Sequence, residues 1–99
     1  MLKQLQSSDF LPRLNSRFSI RRPGIEPIDL ELVEVKQAGE APNPERRSPF
    51  SLIFLGPVSH QYLQQHIYRL EHDEMGALDL FIVPLGPQGG RMQYQAIFS

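Results

Sequence analysis

His72, Asp73 and Glu74 stand side by side, and with His60 and His66 they are the residues here that could ligate a metal or shuttle a proton. Adjacent side chains on a strand that runs into a turn point different ways, so three in a row do not converge on one ion. His60, His66 and His72 are separated by two intervals of six, which matches no recognised ligand spacing. The structural reading is the stronger one: Asp73 and Glu74 are turn residues, and His72 borders the core. For nucleophilic catalysis the serines are Ser7, Ser8, Ser16, Ser19, Ser48, Ser51, Ser59 and Ser99, none of them in a G-x-S-x-G context. Ser59 and His60 are neighbours, yet adjacency does not supply the approach a base needs. A hydrolase would require His60, His66 or His72 within hydrogen-bond reach of a serine or carboxylate. The expectation is therefore no enzyme, no metal and no cofactor.

Two basic clusters remain. Arg17, Arg21 and Arg22 flank a first hairpin, and Arg46 and Arg47 sit in a long loop. Brought together, they would form a patch for phosphate or for an acidic partner surface. Apart, they are solvated edge residues that discourage strand-to-strand aggregation. Asp29, Glu31 and Glu34 on the next strand could neutralise the first cluster across the ladder. The glycines and proline of 86–90 precede a strand, whereas phosphate loops open a helix, so this run reads as a hairpin loop.

Composition narrows the field further. Ten basic and eleven acidic residues leave a formal charge of −1, so no bulk field recruits nucleic acid or anionic lipid. The lack of cysteine removes disulfides, thiolate nucleophiles and thiolate-bound zinc together. No apolar run approaches the ~20 residues of a membrane helix, and Lys3 and Asp9 interrupt the first stretch, which does not read as a signal peptide. The expected partners are other protein chains, with a second copy of this one among them, and neither nucleic acid nor membrane. The expected location is the cytoplasm or a virion or tail-like particle.

What must position these residues is almost all strand. Phe18 and Ile20 alternate with Arg17, Ser19 and Arg21 over 17–21, and Pro23-Gly24 signals a turn. Over 28–35 the alternation begins with Ile28, Leu30 and Leu32 inward, then slips phase so that Val33 and Val35 are the apolar residues. A period of two cannot change face without an extra residue, which predicts a bulge near Leu32–Val33. Residues 36–49, with three prolines, form an exposed loop. The run 50–55 is apolar on both faces except Ser51, so it belongs centrally or beneath another element, ended by Gly56-Pro57. An irregular connection follows, with Tyr62 and Leu63 as plugs. Strands at 67–72 and 77–83 form a hairpin in which Gly76 takes the left-handed position of a G1 bulge. A last strand at 92–98 turns Tyr94, Ala96 and Phe98 inward. Before all of these, residues 1–7 form an arm. Ser8 or Asp9 caps about two helical turns, which Phe10 and Leu14 pack against the sheet. Residues 1–99 thus form a single all-β domain: a small six-stranded antiparallel barrel or sandwich of meander type with a short N-terminal helix.

The motifs F-x-P-x-x-x-S-x-F (Phe10 to Phe18), I-x-L-E-L-V-E-V (Ile28 to Val35) and P-F-S-L-I-F-x-G-P (Pro49 to Pro57) occur in order. They are followed by L-x-Q-x-x-Y-x-L-E-H-D-E-M-G-x-L-x-L-F-I-V-P-L-G-P (Leu63 to Pro87) and Y-x-A-x-F (Tyr94 to Phe98). Together they resemble a family of short bacterial proteins known only as a domain of unknown function, whose genes often lie beside those of phage-tail collar and fibre proteins. The resemblance implies a structural or assembly module of a tail or tail-like particle, docking on tail or fibre proteins. It implies no catalytic or binding residue. In that family a glycine commonly stands where this chain has His66. The alternative is a barrel binding a saccharide or small ligand in a mouth lined by Tyr62, Tyr68, Phe81 and Tyr94.

Overall fold

The computed structural model describes residues 5–37, 49–58 and 62–98, with Arg22 and Ile25 described by backbone alone. Six strands follow a short helical entry: β1 (Arg17–Arg22), β2 (Ile25–Gln37), β3 (Phe50–Val58), β4 (His66–His72), β5 (Gly76–Gln88) and β6 (Arg91–Phe98). They close into an antiparallel barrel in the order β1-β2-β3-β6-β5-β4. Of the two architectures that the pattern allows, the barrel is the one adopted. Each half is a meander, and the halves join where β3 pairs with β6 and β1 with β4. Strand β3 does not pair with β4.

The two long strands, β2 and β5, make closure possible. β2 pairs with β1 up to Glu31 and with β3 from Glu31 onward. β5 pairs with β4 through Ile82 and with β6 from Val83. Each hands over from one neighbour to the next, so the sheet curls instead of splaying. The expected bulge is present: the β2–β3 register shifts between Leu32 and Glu34, leaving Val33 as the extra residue. Leu32 and Val35 thereby stay on the face of their partners Phe54 and Leu52. A second shift, between Pro84 and Gly86, bends β5 at Leu85. Among the described residues this half of β5 pairs with β6 alone, and a proline nitrogen can face the unpaired side without removing a ladder bond.

The turns follow from their residues. Pro23-Gly24, with Gly24 at φ 76°, closes β1–β2. A Pro-Gly turn of this kind splays right-twisted strands, and a register shift between Ile20 and Arg22 absorbs the mismatch. Gly76, also at φ 76°, takes the expected left-handed position, but it pairs with His72 and Ala77 with Glu71 in unbroken register, so the expected G1 bulge is not formed. The β5–β6 loop is shorter than expected. Gly89 and Gly90, both left-handed, suffice for a two-residue turn, so residues 86–88 remain in the strand. The expected loop at 36–49 also contracts at its start, because Lys36 and Gln37 pair with Ser51 and Phe50. Residues 38–48 lie outside the described residues.

Phe18, Leu30, Leu32, Leu52, Phe54, Leu70 and Ile82 fill the barrel with no exposure. One end is sealed by the helical entry, Ser7–Phe10 followed by a 3₁₀ turn over Leu11–Arg13. The N-cap is Gln6, not Ser8 or Asp9: Asp9 sits at the third position and its Oδ2 accepts the Gln6 N–H at 2.8 Å. Phe10 drops fully buried among Phe18, Phe50 and Phe98, at ring distances of 6.5, 5.8 and 5.5 Å. Leu14 does not share that role. The chain turns extended there, and Leu14 stays 36% exposed. At the other end, Leu63 packs on the core as expected, whereas Tyr62 stands out in solvent.

Candidate functional site

Two polar ensembles interrupt this apolar framework, and each begins with a strand that places its residue. His72 is the last residue of β4 and points inward, because Leu70 and Tyr68 do. Its ring lies 4.5 Å from that of Phe18. Nδ1 accepts the backbone N–H groups of Glu74 (3.0 Å) and Met75 (3.3 Å), so the ring proton is on Nε2. Nε2–H therefore donates to Ser16 Oγ at 2.9 Å, and the Ser16 hydroxyl donates onward to the Arg13 carbonyl. The chain thus brings a histidine within reach of a serine, the contact a hydrolase needs. The orientation is reversed, however. A general base must offer serine a lone pair, and here the nitrogen facing Ser16 carries the proton. The relay ties the helical entry to the β4–β5 turn, and Arg13 reinforces it with Nε 3.8 Å from Glu74 Oε1.

His66 opens β4 on the surface, its ring edge-on to Tyr68 at 5.6 Å. Among the described non-glycine residues only Asn15 has a positive φ, so the place that glycine commonly takes is an ordinary extended position here. His60 and Ser59 lie outside the described residues. No group of three or more His, Asp or Glu side chains that could hold a metal forms among the described residues.

The second ensemble is a cleft of about 240 Å³ lined by Asn15, Arg17, Asp29, Glu31 and Arg91. Asn15 adopts φ 69°, which asparagine tolerates better than most residues. Its N–H bonds to the Leu32 carbonyl at 2.7 Å, holding the end of the helical entry along β2. Arg91 starts β6 beside a shift in the β3–β6 register between Leu55 and Val58: Nε donates to the Gly56 carbonyl (2.6 Å) and Nη2 to the Leu55 carbonyl (3.3 Å), while Nη1 meets Glu31 Oε1 (3.0 Å). Asp29 accepts the Ser19 hydroxyl at 2.6 Å and lies 3.7 Å from the Arg17 guanidinium. Each arginine in the cleft is thus matched by a carboxylate. The cleft is a charge-compensated surface rather than an anion hole.

Of the candidate arginines, the two with described side chains each pair with a carboxylate on a neighbouring strand. Arg17 pairs with Asp29 on β2, and Arg21 with Glu71 on β4 at 3.7 Å. The Arg22 side chain, Arg46 and Arg47 lie outside what is described. Of the acids expected to neutralise the first cluster, Asp29 does so, whereas Glu31 serves Arg91 and Glu34 lies 3.8 Å from Lys36. Arg91 escapes a reading of the sequence because its partners lie 35, 36 and 60 residues away. Only part of the aromatic mouth assembles: the Tyr62, Tyr68 and Tyr94 phenols gather at the end where Leu63 and Gln64 lie, and Phe81 is not among them. Tyr68 and Tyr94 are buried, while Phe81 faces outward from β5. The Tyr68 hydroxyl donates to the Gln64 carbonyl and the Tyr94 oxygen accepts the Leu63 N–H, both at 2.8 Å. Burial pushes the Tyr94 phenol above its ordinary value; the Leu63 bond opposes this, and the Tyr68 and Tyr62 phenols add to it.

Fold and site together define a closed, side-chain-filled antiparallel barrel whose polar side chains brace its own backbone. The chain belongs to the domain of unknown function family DUF6916, whose model matches residues 5–98. No curated protein and no solved structure matches it.

Proposed function

We propose that this protein is a non-enzymatic docking module of a larger assembly, the phage tail or tail-like particle that the family resemblance implies. The observation that carries the reading is where the reactive side chains point. His72 and Ser16 are held in a relay that faces backbone, and Tyr68 and Tyr94 are consumed in closing one end. Interior volume is taken by aromatic and aliphatic side chains from every strand. The outside, by contrast, carries large apolar residues that the fold does not use, among them Ile67, Phe81 and Ile97. Docking by strand addition needs a free edge, and ring closure leaves little of one. The working surface is therefore the outer face of β4, β5 and β6, because the outward Ser51 and Ile53 of β3 are buried.

The test is size-exclusion chromatography with light scattering, on the chain alone and mixed with a phage tail-fibre or collar protein of the kind the family resemblance implies. Co-elution as a stoichiometric complex is the expected result. Indifference to that protein, together with turnover of a generic ester or glycoside substrate, would overturn the reading.

A further inference from the structure

We infer that the outer face of β4, β5 and β6 is an interface for a second copy of this chain, an inference that rests on the docking reading and names its first partner. Ile67 of β4 and Phe81 of β5 are direct cross-strand partners on this face, 60% and 49% exposed. Two residues on, Val83 continues the same face of β5 and pairs with Gln95 of β6. Two residues beyond Gln95 comes Ile97, 65% exposed. The strip crosses three strands by steps of about 7 Å or less.

Area and charge favour a copy of the same chain as the occupant. Ile67, Phe81 and Ile97 together leave roughly 350 Å² open to solvent, within the range of the largest single patch on a monomer. A stable interface takes about 800 Å² from each partner, a little over half of it apolar, so this strip supplies most of the apolar share. The surroundings raise no barrier between like molecules. On the next outward rung, Arg69 and Asp79 neutralise each other at 3.2 Å, and the β6 residues between the apolar positions include the uncharged Gln93 and Gln95. With a formal charge of −1, two copies repel one another little. An apolar centre inside a neutral rim is self-complementary under a two-fold axis, the commonest symmetry of soluble oligomers.

Sedimentation equilibrium of the chain alone, up to about 1 mM where even weak interfaces associate, tests this. The expected result is a reversible shift to twice the chain mass. Phe81→Asp should raise the dissociation constant at least about 30-fold, the loss that removing a central aromatic anchor carries. Leu11→Ser, which removes an exposed apolar residue of the helical entry, should leave it unchanged. Ile67→Lys gives a second disruption should Phe81→Asp fail to fold, as circular dichroism would reveal. A chain that stays monomeric throughout overturns the inference. So does a dimer insensitive to the strip variants, or one weakened equally by Leu11→Ser. Docking on the fibre protein is measured separately and can survive any of these failures.

Discussion

Gly56 lies buried in β3, and the position its Cβ would take is 3.0 Å from Cε2 of Tyr94 and 3.7 Å from Cδ2 of Leu30. Its backbone is not left-handed, so the need for glycine is one of space rather than conformation. Tyr94 cannot retreat freely, because it is 2% exposed and its hydroxyl is bonded to Leu63. Gly56→Ala should therefore gain about 0.5–1 kcal/mol from the stiffer unfolded chain but lose about 1–3 kcal/mol to overpacking. A net loss of about 1–2 kcal/mol lowers Tm by roughly 5–15 °C in a domain of this size. Tyr94→Leu removes the obstructing ring, at a cost of its own. In that background Gly56→Ala should be neutral or stabilising. Urea unfolding followed by far-ultraviolet circular dichroism on all four chains gives the coupling, expected at about 1–3 kcal/mol. An equal loss in both backgrounds, or a stabilising Gly56→Ala alone, would refute the packing argument and return Gly56 to a turn role.

Three further outcomes are expected. Phe10→Ala should cost about 3–5 kcal/mol by emptying the plug between Phe18, Phe50 and Phe98, read as a fall in the urea midpoint; a loss under 1 kcal/mol would mean the helical entry is not a seal. Nitrogen-15 NMR should show His72 protonated on Nε2 at neutral pH, and a spectrum with the proton on Nδ1 would remove the relay to Ser16. Because burial raises the Tyr94 phenol, the unfolded chain ionises first as pH climbs. Its contribution is intact below about pH 10 and is lost as pH rises from there toward the folded-state value. Tyr94→Phe should make the alkaline decline in stability shallower, and an unchanged slope would contradict the assignment.

The strands were legible because their information is local. Phe18 and Ile20 against Arg17 and Ser19 need only a period of two, and the Leu32-Val33 phase slip implies its own bulge. The left-handed Gly76 and the inward Tyr94, Ala96 and Phe98 are likewise written in neighbouring residues. What the pattern could not supply is long-range pairing. Strand β3 is apolar on both faces wherever it sits, so nothing local says that it lies beside β6 and not β4. The same limit explains Gly56 and Arg91. A glycine before a proline reads as a stop, yet here it makes room for a ring from β6. An arginine after two glycines reads as a loop end, yet it braces carbonyls across the barrel. The cap at Gln6 was hidden for a different reason: Asp9 suits an N-cap equally well, and only the geometry shows it reaching back.

Methyl NMR of the labelled chain puts the central division, interior for structure and exterior for contact, to its most direct test. Leu30, Leu52, Leu70 and Ile82 report on the interior, and Ile67, Ile97 and Leu11 on the outside. Adding a phage tail-fibre or collar protein, the proposed partner, should shift outer methyls while the inner set stays fixed, and a panel of saccharides and metabolites should shift neither. Inner methyls that move on adding a small ligand would contradict the account.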